Sequence, residues 1–284
     1  MIWILLDGVG HPQDAPMGSV WEQPLPTLEA LLARGLRLDA RLGVAGLPQS
    51  GTGQTAWLSG VNAAAHMGRH YGPWPGPSLK PLLEESTPVR LARAGGRVAL
   101  LNDYPEGYFR PGRRHGCVPY SALAAGLELN PAGLPSVSPL LGLDYQAPWA
   151  PLAHEDDLRR QGERVARATR ELDLALIDLW LSDHLGHLGQ TSVPQAVLQA
   201  GRAYLRRLEA FVSGLLEGGG ELVLSSDHGN LEDLSTGSHT YANVPLLASH
   251  LELPPLTDIA RAGAYLQARL LGAPLPVEGG TVSE

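Results

Sequence analysis

Aspartates and histidines recur in this chain beside apolar runs. Asp7 ends MIWILLD, and Asp183 and His187 lie in DLWLSDHLGHLG, just past a run closing at Trp180. Asp227 and His228 follow ELVLSS, and His239 sits in TGSHTYANVP, ahead of another apolar run. Each piece alone has an ordinary explanation: Asp7-Gly8 as a turn, Asp183 as a helix N-cap, Asp227-His228-Gly229 as a polar turn. Gathered at one place, they would be costly polar groups without a purpose. Oxygen and nitrogen donors without thiolates suit Zn²⁺ or Mn²⁺ and do not suit an iron–sulfur cluster. The set is large enough for two divalent ions, which in phosphoryl transfer stand about 3.5–4 Å apart and clamp the attacking and leaving oxygens. Gly229 is expected to let the chain turn away after two consecutive ligands.

Such chemistry often needs a nucleophile, and LPQSGTGQTAWLSGVN offers Ser50, Thr52 and Thr55 in a Gly-containing turn before a short helix. Backbone N–H groups at a helix N-terminus favour anions, and a hydroxyl there could attack phosphorus. Candidate substrate contacts are Gln54, Arg69 and His70 in MGRHYGPWPGP and its approach, Asn102 and Tyr104 in LNDYPEGYF, and Arg110, Arg113 and Arg114 in YFRPGRRHG. Arginine suits bidentate recognition of an anion. Trp74 could stack on a substrate or fill the core. His11, His66, His115, His154 and His250 have no partner pattern and read as structural, and the His184 side chain should point away from Asp183 and His187.

The surrounding elements must bring these residues together. MIWILLD, LDLALIDLW, ELVLSS, NVPLLAS and GGRVALLN read as strands, and RLDARLGV as a weaker one. PLPTLEALLARGL, a stretch from about Glu155 to Arg170, the long VPQAVLQAGRAYLRRLEAFVSGLLEGGG and LTDIARAGAYLQARLLG read as helices. The part from His66 to about Pro151 is less regular. Strands alternating with amphipathic helices imply an α/β fold with a mostly parallel central sheet and helices on both faces. Ligands of such sheets bind beyond the carboxyl ends of the strands, where the acidic and imidazole residues fall. A single domain over 1–272 is expected, with at most a small irregular cap within 66–150 and a flexible tail over 273–284.

Of the 284 residues, 44% are hydrophobic, enough for a core. The net charge of −8 argues against a nucleic-acid partner held by bulk electrostatics. Cys117, the one cysteine, excludes an internal disulfide and a cysteine zinc cluster. MIWILL is too short for a signal sequence, and no apolar run approaches the ~18 residues of a membrane span. A cytoplasmic protein with no membrane partner is the expectation.

On these motifs the chain resembles the alkaline phosphatase superfamily of binuclear metalloenzymes, with its nearest look to cofactor-independent phosphoglycerate mutase and phosphopentomutase. LLDGVG is similar to the opening metal-Asp motif, SDHLGH matches D-x-x-G-H, and SDHGN with SHTYANVPLL matches the closing ligand pattern. The resemblance implies Asp7, Asp227 and His228 on one metal together with the nucleophile, and Asp183, His187 and His239 on the other. It implies two divalent ions, Mn²⁺ or Zn²⁺. The family places Ser or Thr three residues before a Gly, with a further Gly about ten residues on. Ser50, with Gly53 and Gly60, fits that pattern, and Thr52 is the alternative. Gln54 stands where the two mutases commonly carry His. The chain between Ser50 and Asp183 is also too short for a mutase's inserted substrate domain. The implied activity is hydrolysis of a small phosphorylated substrate through a Ser or Thr nucleophile. A phosphomutase acting on a sugar or glycerate phosphate and a non-catalytic metal-binding relative are the alternatives.

Overall fold

β1 (Ile2–Leu6) consists of five apolar residues, all buried, the composition of a strand covered on both faces. The computed structural model describes residues 1–110 and 112–274; the expected tail lies outside the described residues from 275 onward. After β1 come α1 (Pro26–Leu32), β2 (Leu36–Leu38), α2 (Ser50–Ser59), α3 (Ala63–Met67), α4 (Lys80–Leu83), α5 (Thr87–Arg93) and β3 (Val98–Leu100). Then follow α6 (Cys117–Ala124), α7 (Glu155–Ala168), β4 (Leu174–Leu179), α8 (Leu181–Gly186), α9 (Gln195–Glu217), β5 (Leu222–Ser226), β6 (Val244–Ala248) and α10 (Ile259–Leu271).

The strands form one sheet in the order β2-β6-β5-β1-β4-β3. β1 lies between β4 and β5 and is parallel to both, and β3 is parallel to β4. β6 runs antiparallel to β5 and to β2. This reversal is functional, because it puts the entry of β6, rather than its exit, at the carboxyl edge of β5. Three ligand-bearing connections therefore meet at one edge: the exits of β1 and β4, and the β5–β6 loop, which leaves and re-enters the sheet there.

Alternating residues of the central strands feed two cores. Ile2, Ile4, Leu6, Ile177 and Leu179 pack with α1, α7, α8 and α9 on one face. Trp3, Leu5, Leu174 and Leu176 pack with α2 to α6 and α10 on the other. The expected mostly parallel α/β sheet with helices on both faces is what the chain forms.

Three local readings need correction. The segment from Ser50 is not a turn leading to a helix; Ser50 is itself the first helical residue, with Gln49 as N-cap, and all ten residues of α2 are buried. β2 is only three residues long. The irregular middle contains α3 to α6, whose Ala63, Leu83, Leu91 and Val118 enter the same core as Trp3. Short helices broken by Pro and Gly leave too few turns for a legible 3.6-residue period.

Candidate metal centre

Each ligand candidate is delivered by one of these three converging connections, with Asp227, His228 and His239 all on the β5–β6 loop. Asp7 leaves β1, and its backbone is fixed by Asp7 N donating to Leu179 O at 3.0 Å and Ser182 Oγ donating to Asp7 O at 2.6 Å. The short helix α8 begins straight after β4, carrying Asp183 in its first turn and His187 at its C-cap. Asp227 and His228 follow β5 and are fully buried. His239 approaches from the loop ahead of β6 and is also buried.

Two groups of donors form. Asp183, His187 and His239 make one, and Asp7, Asp183 and His228 make the other, with the ligand atoms of each within 4.8 Å of one another. Asp183 thus stands in both. His187 Nε2 lies 3.2 Å from Asp183 Oδ2, His239 Nε2 3.4 Å from Asp183 Oδ1, and His228 Nε2 3.1 Å from Asp7 Oδ1. Asp227 is one step further out, with Oδ2 3.7 Å from His228 Nε2. Its Oδ1 accepts from Gly8 N at 3.1 Å, whereas its buried Oδ2 has no hydrogen-bond partner.

The residues fit divalent cations on their own geometry. Each imidazole directs Nδ1 at a backbone carbonyl: His187 at Gly237 O (2.9 Å), His239 at Pro48 O (2.6 Å) and His228 at Gly229 O (3.3 Å). A carbonyl only accepts, so Nδ1 carries a proton and Nε2 is the nitrogen turned inward, available to a second proton or to a cation, the arrangement typical of metal-ligating histidine. The orphaned Asp227 Oδ2 is a further free donor.

The charge balance agrees. Burial, reinforced by Asp227 and Asp183, pushes the Asp7 carboxyl up to about 7. Burial works against a charged His228, yet Asp227, Asp7 and Asp183 outweigh it and hold the imidazole up at about 10. Its hydrogen bond with Asp183 raises His187 to about 8. Asp183 goes the other way: burial opposes its charge, but His187 and His239 hold it below the ordinary carboxylate range. Protons are retained where cations would neutralise the same carboxylates.

Ser50 Oγ lies 3.0 Å from His228 Nε2 and 3.2 Å from Asp7 Oδ1. Thr52 faces elsewhere, its Oγ1 donating to Gln49 O at 3.1 Å. Gln54, one turn on from Ser50, donates to Asp7 Oδ2 at 3.1 Å. Gly53 explains the tight fit: a Cβ there would lie 2.7 Å from Asp227 O, so only glycine lets α2 press against the Asp227 turn. Gly229 is also needed for proximity, which corrects the expectation of a permissive turn. Its φ is not left-handed, and a Cβ would lie 2.3 Å from Thr240 Oγ1.

The other predicted contacts have partners of their own. Asn102 is buried, donating to Asp178 O at 2.6 Å and accepting from Asp178 N at 2.8 Å, so its amide clasps β3 to β4 and is not free for a substrate. Arg69 lies over the Tyr71 ring at 5.7 Å, and His70 Nε2 lies 3.3 Å from Val44 O. Arg110 is exposed beside Leu127 and Glu128. Trp74 is exposed and fills no core. His184 stacks on Tyr145 at 4.8 Å, away from the ligand cluster. His154 caps α7.

Three polar residues near the centre were not singled out in the sequence. Asn230 Nδ2 donates to Asp183 Oδ1 at 2.7 Å. Buried Glu232 accepts from Gly10 N and Asn230 N, each at 2.8 Å, and from Thr240 Oγ1, tying the loop after β1 to both ends of the β5–β6 loop. Asp178 lies inside β4; burial raises its carboxyl well above the ordinary value, with Asp7 and Asp227 adding to the effect, and its Oδ1 is unpartnered. A carboxylate within the apolar run LALIDL was a visible signal for Asp178. Nothing local marks Asn230 or Glu232.

Residues 150–267 match the model of the Metalloenzyme superfamily. Among solved structures, the chain is similar to BT1596, a 2-O GAG sulfatase, at 12% identity and TM-score 0.52, covering 98% of this chain and 71% of that one. It is similar to the lipoteichoic acid synthase LtaP from Listeria monocytogenes at 12% identity and TM-score 0.53, over 96% and 72% of the two chains. A TAB5 alkaline phosphatase mutant with Mg bound in the M3 site matches at 10% identity and TM-score 0.52, over 96% and 97%. The chain shares the fold of these sulfatase, synthase and alkaline phosphatase structures. No curated protein matches the chain in sequence. The superfamily match and the two donor groups support divalent metal binding. No helix among the described residues is long and apolar enough to cross a membrane.

Proposed function

We propose that this chain is a metal-dependent phosphoester hydrolase acting on a small phosphorylated substrate, with Ser50 as nucleophile. The observation that carries the reading is Ser50 Oγ at 3.0 Å from His228 Nε2 and 3.2 Å from Asp7 Oδ1, at the first residue of a helix. Two divalent cations, Mn²⁺ or Zn²⁺, would be held by Asp7, Asp227 and His228 and by Asp183, His187 and His239. When bound, they supply Lewis-acid stabilisation of charge on the phosphoryl and leaving oxygens.

The chain's own residues do the rest. Asp7 Oδ1 accepts the Ser50 hydroxyl hydrogen and is placed to take that proton as Oγ attacks phosphorus. The Oγ–P bond forms as the bond to the leaving oxygen breaks. Water then cleaves the phosphoserine, releasing phosphate and restoring the hydroxyl. Gln54 holds the other Asp7 oxygen, which fixes the carboxylate plane toward Ser50. Pro48 and Gly237 carbonyls hold the His239 and His187 rings in register, so little reorganisation is needed during the reaction.

Protein purified without chelator should hydrolyse at least one member of a panel of aryl phosphates, phosphodiesters and aryl sulfates. The sulfate belongs there because the fold is shared with a sulfatase. Ser50→Ala should lower kcat by about a thousandfold or more. Full activity in Ser50→Ala would remove the covalent mechanism, and inactivity of the metal-loaded protein on the whole panel would remove the hydrolase reading. Feeding a phosphosugar and following isomer against free phosphate separates hydrolase from mutase.

A further inference from the structure

A second concavity lies behind the first turn of α2. It measures about 460 Å³, and its walls include Trp74, Lys80, Arg113, Arg114, His115 and Tyr120. The chain as a whole carries net charge −8, yet no carboxylate among the described residues lines this pocket. Among the described residues, Lys80, Arg113 and Arg114 have no carboxylate within ion-pair distance; Lys80 and Arg113 rest on rings instead. Lys80 Nζ lies 5.2 Å from the Tyr120 ring centroid and the Arg113 guanidinium 5.5 Å from that of Tyr108. An aromatic face attracts a cation without neutralising it, so the positive charge remains available. Buried His115 Nδ1 also has no hydrogen-bond partner among the described residues.

The pocket is built against the helix turn that bears Ser50. Thr52 N donates to Tyr71 O at 2.9 Å. A Cβ on Gly51 would come within 2.5 Å of Tyr71 O and 3.1 Å of Trp74 O. Scattered surface arginines need no explanation, but here three cations and an imidazole share one concavity with no acid among its described lining residues, beside Trp74, which is 39% exposed. Cations offering several N–H donors next to flat rings recognise an anionic group carried on a planar body.

We infer that this pocket binds the anionic end of a small molecule bearing a flat ring, at a site separate from the metal centre. The binding does not depend on the hydrolase reading; only the identity of the ligand's source does.

The test is calorimetric titration of the full chain with naphthalene-2-sulfonate, a planar monoanion, and with neutral 2-naphthol. The sulfonate should bind, and Arg113→Ala/Arg114→Ala should weaken it about tenfold or more, with thermal unfolding confirming that the variant is folded. Arg113→Lys/Arg114→Lys should retain most of the affinity, and Asp227→Asn should leave it within about twofold. Unchanged affinity in the double alanine variant overturns the inference. So does equal binding of 2-naphthol, or loss of binding in Asp227→Asn alone, which would put the anion at the metal centre. With active protein, competitive inhibition of phenyl phosphate hydrolysis by the sulfonate marks the pocket as the seat of a substrate's distal group, and non-competitive inhibition marks a separate ligand. If no phosphoester is hydrolysed, the hydrolase reading falls while the calorimetric result stands.

Discussion

His187 Nε2 and His239 Nε2 face each other at 3.1 Å, each ring held from behind by a backbone carbonyl on Nδ1. Two inward lone pairs at that separation repel unless a proton or a cation lies between them. The carbonyl tethers prevent either ring from turning away by exchanging its nitrogens, so the fold holds the pair ready for a positive charge.

His187→Ala or His239→Ala should therefore weaken metal binding at the group shared with Asp183 by about a hundredfold or more, read as bound metal per chain after dialysis against a graded chelator. Unchanged stoichiometry and affinity in both variants would show that the pair is not a ligand set.

Stability of the chelator-treated protein should fall as pH rises. His187 moves from its ordinary 6.5 up to about 8, so its contribution is fully present below 6.5 and lost as pH passes through 8. His228, held at about 10, has the same sign and loses its contribution at higher pH. Asp7 is raised from 3.8 to about 7, so the folded state binds the proton more tightly and stability falls across that interval as well. Added Mn²⁺ or Zn²⁺ takes the place of these protons, so the rise in Tm it produces should grow with pH over the same range. A metal-induced shift that shrinks from about pH 6 to about pH 9 would contradict this charge balance.

Glu232→Ala should destabilise the protein by about 3 kcal/mol, because Gly10 N, Asn230 N and Thr240 Oγ1 all lose a buried acceptor. Denaturant unfolding measures it. Activity should fall further than stability alone accounts for, since the tied loops carry Asp7, Asp227 and His239. Wild-type stability and activity would show that the loops are held by other contacts.

Gly53→Ala should cost about 1–3 kcal/mol through overpacking and lower kcat as α2 moves off the Asp227 turn. The obstacle is a backbone oxygen 2.7 Å from the new Cβ, which cannot swing aside as a side chain would. Activity assays on the folded variant check it, and a fully active Gly53→Ala would mean that α2 can shift without displacing Ser50.

Much of this centre was legible in the sequence because its parts are local. The continuous apolar runs IWILL, LALIDL and LVLSS mark strands covered on both faces, and each is followed by a polar residue able to act at the sheet edge. What the chain order does not contain is the lateral order of the strands. β4 and β5 flank β1 although they follow it by more than half the chain, and that adjacency brings Asp183 close to Asp7 and His228. Side-chain fate depended on tertiary structure for the same reason. Asn102 looked free at a strand end, yet the neighbouring β4 takes both ends of its amide. Gly229 looked like a turn residue, yet it is needed because the β5–β6 loop folds back on itself and presses Thr240 and Glu232 against it. The sequence by itself determined which donors exist and that they lie at strand ends, since hydrophobic periodicity is a property of neighbours along the chain. Only the tertiary structure decided which donors meet, because that depends on sheet order, strand direction and the close approach of loops that share no sequence proximity.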